Sequence, residues 1–509
     1  MKYNLFLYFI AGWLIFTSCE SFLDKMPTGT MTTDSELKSN ESALALVNSA
    51  YQNARVTNRM VEGWGSGTML LLEYMTGKAT SENSQSNFKD FQDLAVSART
   101  AYIADWWQYC YAGIADCNLA LEKIKEFSTL NEKLALRYEG EIKFMRAFYY
   151  FYLVRIFGDV PKILTVQKEL SALQIERAPV KEIYDEIIIP DLLAAEQSGL
   201  PSKDETGRAS LFAVKSLLSD VFITYAGYPI KGGDSYYHES AKRSLEIIQS
   251  NAFALFSEYS DLWNPANNNK GEFIYQIQHT INKGNNFINN VVCIVLPSRS
   301  GMSAFNLEFG SLIPTKEFVE SYPPGDKRSE EKQFFFTTYK GHPNKFSSGA
   351  PELSFMDFKG YYIHKFFDKN AIDNTGQSRL NWTIYRYADI LLLYAEAQVN
   401  ADGAPDAMSI EALNTVRNRA GLSPFIDTNK ETFEKAVWDQ RYFELCYENK
   451  TWFDIVRTRL IRDDAGGNYV PFIGYTTNWG KTYTGTQLLF PIPLRERQTN
   501  SKLTQNPGY

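Results

Sequence analysis

Cysteine and histidine are scarce in this chain. Its 509 residues include five Cys and four His. Cys110 and Cys117 lie seven residues apart on one predicted helix, and the resulting separation of about 10 Å is too long for a disulfide. No His or Cys has the spacing of a zinc-ligand pair. We therefore expect reduced thiols in the core, no metal site and no cofactor.

The chain also lacks an excess of basic charge and the common catalytic motifs. The net charge is −7, whereas a nucleic-acid-binding surface is normally basic, so nucleic acid is disfavoured as a partner. There is no G-x-S-x-G, no G-x-x-x-x-G-K and no Cys/His dyad. Asp389 and Glu396 are spaced to share a helix face, which leaves a glycosidase site as an alternative. Arginines on neighbouring predicted helices favour a structural role, because a carboxylate paired with Arg is a poor general acid.

The amino terminus carries a short apolar run. Fourteen uncharged residues, Tyr3–Phe16, follow Lys2, and a helix needs roughly 20 to span a bilayer. The pattern is typical of a secretory signal peptide over residues 1–18. Because Cys19 follows small residues as in a bacterial lipobox, we expect cleavage before it and acylation on it; an ordinary signal with an incidental Cys is the alternative. Residues 19–39 would then form a flexible tether.

Aromatic side chains are abundant, at 15% of the chain. Trp106, Trp107 and Trp452 fall within helical patterns, and Trp263 and Trp382 flank predicted elements, so we expect all of them in the core. A minority of the other aromatics would be exposed, where a flat apolar ring can stack against a sugar.

The stretch Tyr385–Leu460 organises the chain. Apolar residues recur in it at helical spacing, and charged residues are interleaved with them. An unpaired buried charge costs several kcal/mol, so we expect these charges to form ion pairs where helices meet. They are Arg386, Asp389, Glu396, Arg417, Arg419, Arg441, Glu444, Asp454 and Arg457.

Ordered motifs in the last quarter of the chain resemble the SusD/RagB family of outer-membrane lipoproteins. They are RYADILLLYAEA, NTVRNRAGL, RYFEL, WFDIVR, and LLFPIP followed by QNPGY; the start Cys19-Glu-Ser-Phe-Leu-Asp with Pro27 matches as well. Two departures are visible. The family usually has an acidic residue and two arginines where this chain reads Asp439-Gln440-Arg441. It usually has Glu-Gly and a basic residue where this chain reads Glu448-Asn449-Lys450.

The resemblance implies an all-α-dominated fold. Tetratricopeptide-like helical hairpins would form a right-handed superhelix that carries a loop-rich mixed insertion with short strands. The helical parts would be residues 40–258 and 383–509, with the insertion at 259–382, all within one interlocked domain. Within the insertion, alternation predicts a strand at Phe273–Gln278, and Gln333–Tyr339 and Tyr361–Phe367 are further β-prone runs.

The resemblance also implies a function. The protein would be anchored by lipid in the outer membrane, facing outside, and would bind an oligosaccharide and deliver it to a SusC-like TonB-dependent barrel without cleaving it. A peptide ligand on the same fold is the first alternative, and a glycoside hydrolase is a weaker one.

Ligand contacts are expected in two irregular segments, Val56–Arg99 and about Gln276–Phe305, where the resemblance places the binding loops. Amide side chains there can donate to and accept from paired sugar hydroxyls, and aromatic rings among polar residues can stack. The candidate residues are Trp64, Asn83, Phe88, Asn285, Asn286 and Phe287.

Overall fold

A computed structural model describes residues 40–59, 67–82, 88–127, 130–167, 169, 174–281, 289, 291–303, 305, 308–341 and 354–509. α-Helices dominate this part. They are α1 (Asn40–Gln52), α2 (Leu70–Tyr74), α3 (Phe88–Gln92), α4 (Ala101–Lys123), α5 (Glu132–Phe157), α6 (Val180–Ile183), α7 (Ile189–Glu196), α8 (Leu211–Ala226), α9 (Asp234–Gln249), α10 (Val291–Val295), α11 (Lys316–Glu320), α12 (Tyr387–Asp402), α13 (Ala407–Arg419), α14 (Lys430–Glu444), α15 (Thr451–Thr458) and α16 (Leu494–Thr499).

The longest helix, α5, shows why these elements form where they do. Apolar and aromatic residues recur along it at spacings of three and four, and its carboxy-terminal half is almost entirely buried. The Asn131 side chain caps its first turn by accepting from the Leu134 N–H. Gly158 ends it at a φ of 75°, a conformation that favours glycine. The sequence pattern predicts a helix over Glu132–Phe157 that Gly158 stops, and the structure confirms these bounds.

Successive long helices pack side by side. Helix α4 contacts α5, α5 contacts α7, α7 contacts α8, and α8 contacts α9. Helix α9 then packs against α12, although the whole insertion separates them in sequence, and α12 contacts α13 and α14. The predicted helix-dominated fold is confirmed.

Two glycines permit close contacts at helix crossings. A Cβ on Gly113 of α4 would lie 2.3 Å from the Tyr149 ring of α5. A Cβ on Gly140 of α5 would lie 1.9 Å from the Ser198 hydroxyl oxygen, just beyond α7. Both distances are shorter than any tolerable contact, so these helices can approach only because the side chains are missing.

The strands are short and pair two by two. They are β1 (Ala79–Thr80), β2 (Val160–Pro161), β3 (Arg177–Ala178), β4 (Phe273–Ile277), β5 (Ile313–Pro314), β6 (Phe335–Gly341), β7 (Ser354–Ile363), β8 (Trp382–Arg386), β9 (Leu460–Asp463) and β10 (Asn468–Pro471). All pairs are antiparallel: β1 with β5, β2 with β3, β4 with β8, β6 with β7, and β9 with β10. The strand predicted from Phe273 is confirmed, whereas the one predicted at Tyr361–Phe367 ends at Ile363.

Arg386 lies at the centre of a buried ion-pair network. Its side chain is 2% exposed, and all five of its N–H groups donate hydrogen bonds. The acceptors are carboxylate oxygens of Glu272, Glu444 and Glu448 at 2.7–2.9 Å, and the Glu444 carbonyl at 2.8 Å. Arg419 donates to Glu272 and Glu444 at 2.5 and 2.7 Å. The predicted pairing of these arginines is confirmed.

A second cluster joins α12, α14 and α15. Arg441 donates to Asp389 at 2.9 Å and to Asp454 at 3.0 Å. Arg457 donates to both Glu396 oxygens, at 2.5 and 2.7 Å. Asp389 and Glu396 are therefore each bound by arginine and buried, which confirms their predicted structural role.

Arg417 differs from the other predicted ion-pairing residues. It is half-buried, and its guanidinium donates to the Ser423 carbonyl oxygen at 2.8 and 3.1 Å. Among the described residues no carboxylate lies within 4 Å of it, so the prediction of an ion pair is wrong here. The helix end turns this side chain towards the following loop instead of the neighbouring helix.

The arginines also set the charge of the buried carboxylates. Burial by itself would raise the pKa of Glu444, but Arg419, Arg386 and Arg328 hold it well below its usual range. The pKa of Glu448 is likewise lowered, because Arg386 and Lys365 outweigh its burial. Such carboxylates stay ionised at neutral pH and are unsuited to general acid chemistry.

Residues far apart in sequence tie the carboxy-terminal helices to the first segment. The Lys78 ammonium donates to the Thr451 hydroxyl at 2.5 Å. The Asn449 N–H donates to Glu73 at 2.8 Å, and its side-chain amide donates to the Thr57 carbonyl at 2.9 Å. These buried bonds hold the start of the first predicted ligand segment against the helical part.

The core contains the side chains expected there. Trp106, Trp107, Trp263, Trp382 and Trp452 are all buried. The cysteines of the described part, Cys110, Cys117, Cys293 and Cys446, are buried free thiols. Within the same part, no helix has both the length and the apolar character needed to cross a membrane.

Candidate ligand-binding edge

The two segments predicted to hold ligand come together in space. The Asn58 side-chain amide lies 3.2 Å from His279 Nε2. Strand β1 of the first segment pairs with β5, which follows the second. The Glu82 N–H donates to the Gly310 carbonyl at 2.8 Å. The described ends of both segments thus form one edge of the molecule.

Glu82 fastens this edge. One carboxylate oxygen accepts from the Ser298 N–H at 2.7 Å, and the other accepts from the Tyr362 hydroxyl of β7. Burial first, and then the hydrogen bond to Glu82, raise the pKa of Tyr362, so its hydroxyl remains a donor. Three separate stretches of chain are joined through this carboxylate.

A cavity of about 500 Å³ opens beside the Asn58–His279 contact. Three segments line it: helix α1 with the residues after it, the loop before α8, and strand β4 with the residues after it. The lining residues are Asn48, Tyr51, Gln52, Arg55, Thr206, Gly207, Arg208, Tyr275, Gln276, Ile277, Gln278, His279 and Thr280. Its volume falls within the range of about 300–1,000 Å³ that is usual for small-molecule sites.

Gly207 allows the loop wall of the cavity to approach β4. Its φ is +90°, and a Cβ there would lie 2.1 Å from the Gln278 amide carbon. The loop is shaped by Asp204, whose carboxylate oxygen accepts from the Thr206 N–H at 2.8 Å and the Arg208 N–H at 3.0 Å. A side chain at position 207 would push these two walls apart.

Amide side chains hold the β4 wall in one conformation. The Gln278 amide donates to Asn269 at 3.0 Å and to the Gln276 carbonyl at 2.7 Å. Its oxygen accepts from Asn269 and from Asn381, both at 2.8 Å. The Asn381 oxygen in turn accepts from the His279 N–H at 2.9 Å. Because Gln278 uses both donors and both acceptors, this wall is fixed before any ligand arrives.

Tyr51 of the α1 wall and Arg208 of the loop wall are both held by the buried carboxylate of Glu141. The Tyr51 hydroxyl donates to the buried carboxylate of Glu141 at 2.7 Å and accepts from the Ala209 N–H at 3.0 Å. Arg208 contacts Glu141 at 2.8 Å and donates to the Asn48 amide oxygen at 2.7 Å. Burial, followed by the Glu141 charge, raises the pKa of Tyr51, so the phenol stays neutral.

Most of the predicted site residues lie outside the described residues. These are Trp64, Asn83, Asn285, Asn286 and Phe287, together with the predicted lipid-attachment residue Cys19. Phe88 is described, and the expectation that its ring is exposed is wrong. Its side chain is 8% exposed because α3 places it against Tyr74 and Trp479, with ring centroids 4.7 and 5.8 Å apart.

Sequence reasoning missed several residues at this edge. The cavity wall from α1 lies before the predicted segment, and the loop at Thr206–Arg208 was not considered. Elsewhere in the insertion, Phe305 and Phe355 are exposed, with 41% and 71% of their surfaces accessible. The sequence signal that could have indicated this loop is the pair Gly207-Arg208, which follows the acidic residues Asp204 and Glu205. No His, Cys, Asp or Glu cluster in the described part has the arrangement of a metal site.

The fold and the edge define a class of protein: a helical framework that positions irregular segments around a cavity. A model of the SusD family matches residues 264–509, and a model described as "Starch-binding associating with outer membrane" matches residues 21–223. The chain belongs to the SusD/RagB family.

Individual relatives agree with this assignment along almost the whole chain. A crystal structure of a SusD superfamily protein from Parabacteroides distasonis is 68% identical, with a TM-score of 0.89, covering 92% of this chain and 99% of that one. SusD-like protein P38 of Formosa agariphila is 27% identical over 97% of this chain and 96% of its own length. A laminarin-binding SusD-like protein has the same fold, with a TM-score of 0.75 at 22% identity, covering 93% and 100% of the two chains.

Proposed function

We propose that this protein is a surface-exposed outer-membrane lipoprotein that captures an oligosaccharide and passes it to a SusC-like TonB-dependent barrel. The observation that carries the proposal is the convergence of two irregular segments beside a cavity of about 500 Å³ whose lining combines amide and hydroxyl groups with apolar surface. The family description, which names starch binding and the outer membrane, supports the ligand class and the location.

The chemistry of the edge suits a sugar. Exposed Gln52 and Thr280 offer an amide and a hydroxyl at the cavity, and both group types can donate and accept. The exposed ring of Phe305, in the second predicted ligand segment, can stack on the apolar face of a pyranose. Glu444, Asp389 and Glu396, which are buried carboxylates of the described helices, are paired with arginine, so binding without cleavage is the role that they support.

Calorimetry with a panel of oligosaccharides and peptides tests the ligand class. We expect at least one oligosaccharide to bind, and the double variant Gln52→Ala/Thr280→Ala to bind it about tenfold more weakly, since each lost hydrogen bond is worth about 0.5–1.5 kcal/mol. Gln249→Ala, at an exposed helix end away from the cavity, is the matched control. Binding of peptides alone would refute the oligosaccharide assignment, and release of reducing ends would refute the absence of catalysis.

The anchor and the partner need separate measurements. We propose residues 1–18 as the signal peptide and Cys19 as the acylated residue, with 19–39 as a tether to one interlocked domain. Replacing Cys19 with Ala should move the protein from the detergent phase to the aqueous phase in a Triton X-114 partition. Affinity purification from solubilised outer membranes should recover a TonB-dependent barrel with the wild-type chain.

A further inference from the structure

The cavity beside α1 has a buried floor and an exposed rim. Tyr275, Gln276 and Ile277 of strand β4 are among its lining residues, and each is at most 5% exposed. Gln52 and Thr280, which also line the cavity, are exposed. A ligand that enters the cavity therefore meets polar side chains at the rim first and strand β4 last.

The polar side chains of the floor are already hydrogen-bonded within the protein. The Tyr275 hydroxyl donates to the Met145 sulfur of helix α5 at 3.3 Å. The Gln276 amide donates to the Thr383 hydroxyl at 2.9 Å, and its oxygen accepts from the Asn269 N–H at 2.7 Å. The polar ends of both side chains are thus directed to protein partners and not to a ligand.

The side chains just above the floor are engaged in the same way. Gln278 uses both donors and both acceptors within its wall. The Tyr51 hydroxyl donates to Glu141 and accepts from the Ala209 N–H. Ile277 contributes a purely apolar side chain. The deep part of the cavity therefore presents mainly rings and methyl groups among the residues that the structure describes.

The floor and the rim suit different chemical groups. A ligand hydroxyl that reached the floor would give up hydrogen bonds to water and find few replacements, which is unfavourable. A methyl group would gain there, because its apolar surface is removed from water. At the rim, the Asn48 amide oxygen accepts from Arg208, so its NH2 group can donate to a carbonyl oxygen, as can that of exposed Gln52. A carbonyl group that ends in a methyl group fits both regions.

We propose that this cavity selects oligosaccharides whose sugar rings carry an acetyl group, either as an ester or as an acetamido group. The inference rests on the proposed function and adds the class of sugar. The methyl end of the acetyl group would contact Tyr275 and Ile277, and its carbonyl oxygen would accept from Asn48 or Gln52. The hydroxyl groups of the ring would remain at the rim.

The test compares sugars that differ in the acetyl group. The full chain in detergent is titrated by calorimetry with an acetylated mannotetraose and the same sugar after saponification, and with tetra-N-acetylchitotetraose and cellotetraose, which share one linkage. A broad panel of unsubstituted oligosaccharides is titrated alongside. We expect an acetylated sugar to bind about fourfold or more tightly than its counterpart, which is the gain from burying one methyl group. The two pairs separate the ester from the acetamido group.

A matched pair of variants locates the preference. Ile277→Thr places a hydroxyl at the floor with little change in shape, so it should bring the two affinities of a pair close together. Ile384→Thr makes the same change in β8, the strand that pairs with β4, at a buried position outside the lining, and should leave the preference unchanged. Circular dichroism shows whether each variant is folded, and the comparison of sugars on the wild type decides the question even if a variant is not.

The outcomes distinguish the two claims. If unsubstituted oligosaccharides bind and no acetylated sugar is preferred, this inference is wrong while the proposed function stands. The same holds if a folded Ile277→Thr protein keeps the full preference, or if Ile384→Thr reduces it as much. If no oligosaccharide of either kind binds, or if only peptides do, both claims are wrong.

Discussion

Replacing Arg386 with Ala should destabilise the protein severely. The substitution removes five buried hydrogen bonds and leaves Glu272, Glu444 and Glu448 with one cation fewer. Breaking a buried ion pair by removing one partner costs about 3–5 kcal/mol. We expect the free energy of unfolding to fall by this amount and not by several times more, because each carboxylate keeps another cation. Glu272 and Glu444 keep Arg419, and Glu448 keeps Lys365.

Urea unfolding at pH 7, followed by circular dichroism and tryptophan fluorescence, gives the change in the free energy of unfolding. Arg386→Met is the companion variant, since it keeps much of the volume but none of the charge. Arg417→Ala is the control, because Arg417 contacts only a loop carbonyl oxygen among the described residues, and its loss should stay within about 0.5 kcal/mol. An Arg386→Ala protein that unfolds like the wild type would refute the assigned role of the network.

The pH dependence adds a second check with a defined sign. The pKa values of Glu444 and Glu448 are lowered in the folded protein, so their contribution is fully present above the unfolded pKa of about 4.3. It is lost as the pH falls towards the folded values. Because Arg386 causes part of that lowering, the stability difference between the wild type and Arg386→Ala should be largest at neutral pH and shrink below about pH 4. A difference that grows on acidification would contradict this explanation.

Four further outcomes are expected. Gly113→Ala should cost about 1–3 kcal/mol in urea unfolding, because its Cβ would lie 2.3 Å from the Tyr149 ring, although alanine is normally the better helix residue. Burial lowers the pKa of His364 to about 4, so stability should decline as the pH falls from about 6.5 to 4, and His364→Phe should flatten that decline. Trp64→Ala should weaken glycan binding in calorimetry and leave the melting temperature unchanged. Radiolabelled palmitate should label the wild type but not Cys19→Ala.

Periodicity and charge density predicted much of the helical framework. Helix α5 has the bounds that its apolar stripe and the stop at Gly158 indicated. The ion pairs followed from a simple physical constraint, because arginines set among leucines and tyrosines have to find carboxylates when they are buried. Arg417 forms no such ion pair among the described residues, because it lies in the last turn of its helix and donates to a loop carbonyl oxygen instead.

The two departures from the family pattern have local explanations. Asn449 replaces the usual glycine at a φ of +58°, and asparagine is among the few other residues that tolerate this conformation. Its side chain adds a bond to the Thr57 carbonyl that glycine lacks. Gln440 replaces an arginine, and its amide oxygen accepts from Arg328 at 2.9 Å. Gln440 thus keeps a contact with the network through Arg328, whereas Asn449 adds a bond outside it.

The cavity could not be predicted in the same way. Its walls come from positions near 50, 207 and 278, and only tertiary packing brings such distant segments together. The need for glycine at position 207 depends on the approach of Gln278, which no local pattern encodes. Phe88 was misjudged for a related reason: the polar residues before it suggested exposure, whereas the helix that it starts packs against Tyr74.

Strand β4 connects the ion-pair network to the cavity. It follows Glu272, which Arg386 and Arg419 bind, and it leads into Gln278 and His279 of the cavity wall. Its pairing with β8 and the bond from the Tyr387 N–H to the Glu272 carbonyl, at 2.8 Å, do not depend on the Arg386 side chain. We therefore expect the folded fraction of Arg386→Ala to retain ligand affinity, because the network stabilises the framework while the amide bonds around Gln278 fix the wall. The two ends of one strand therefore have different roles. Glu272, just before the strand, affects how much of the protein is folded, and Gln278, just after it, affects what the folded protein binds.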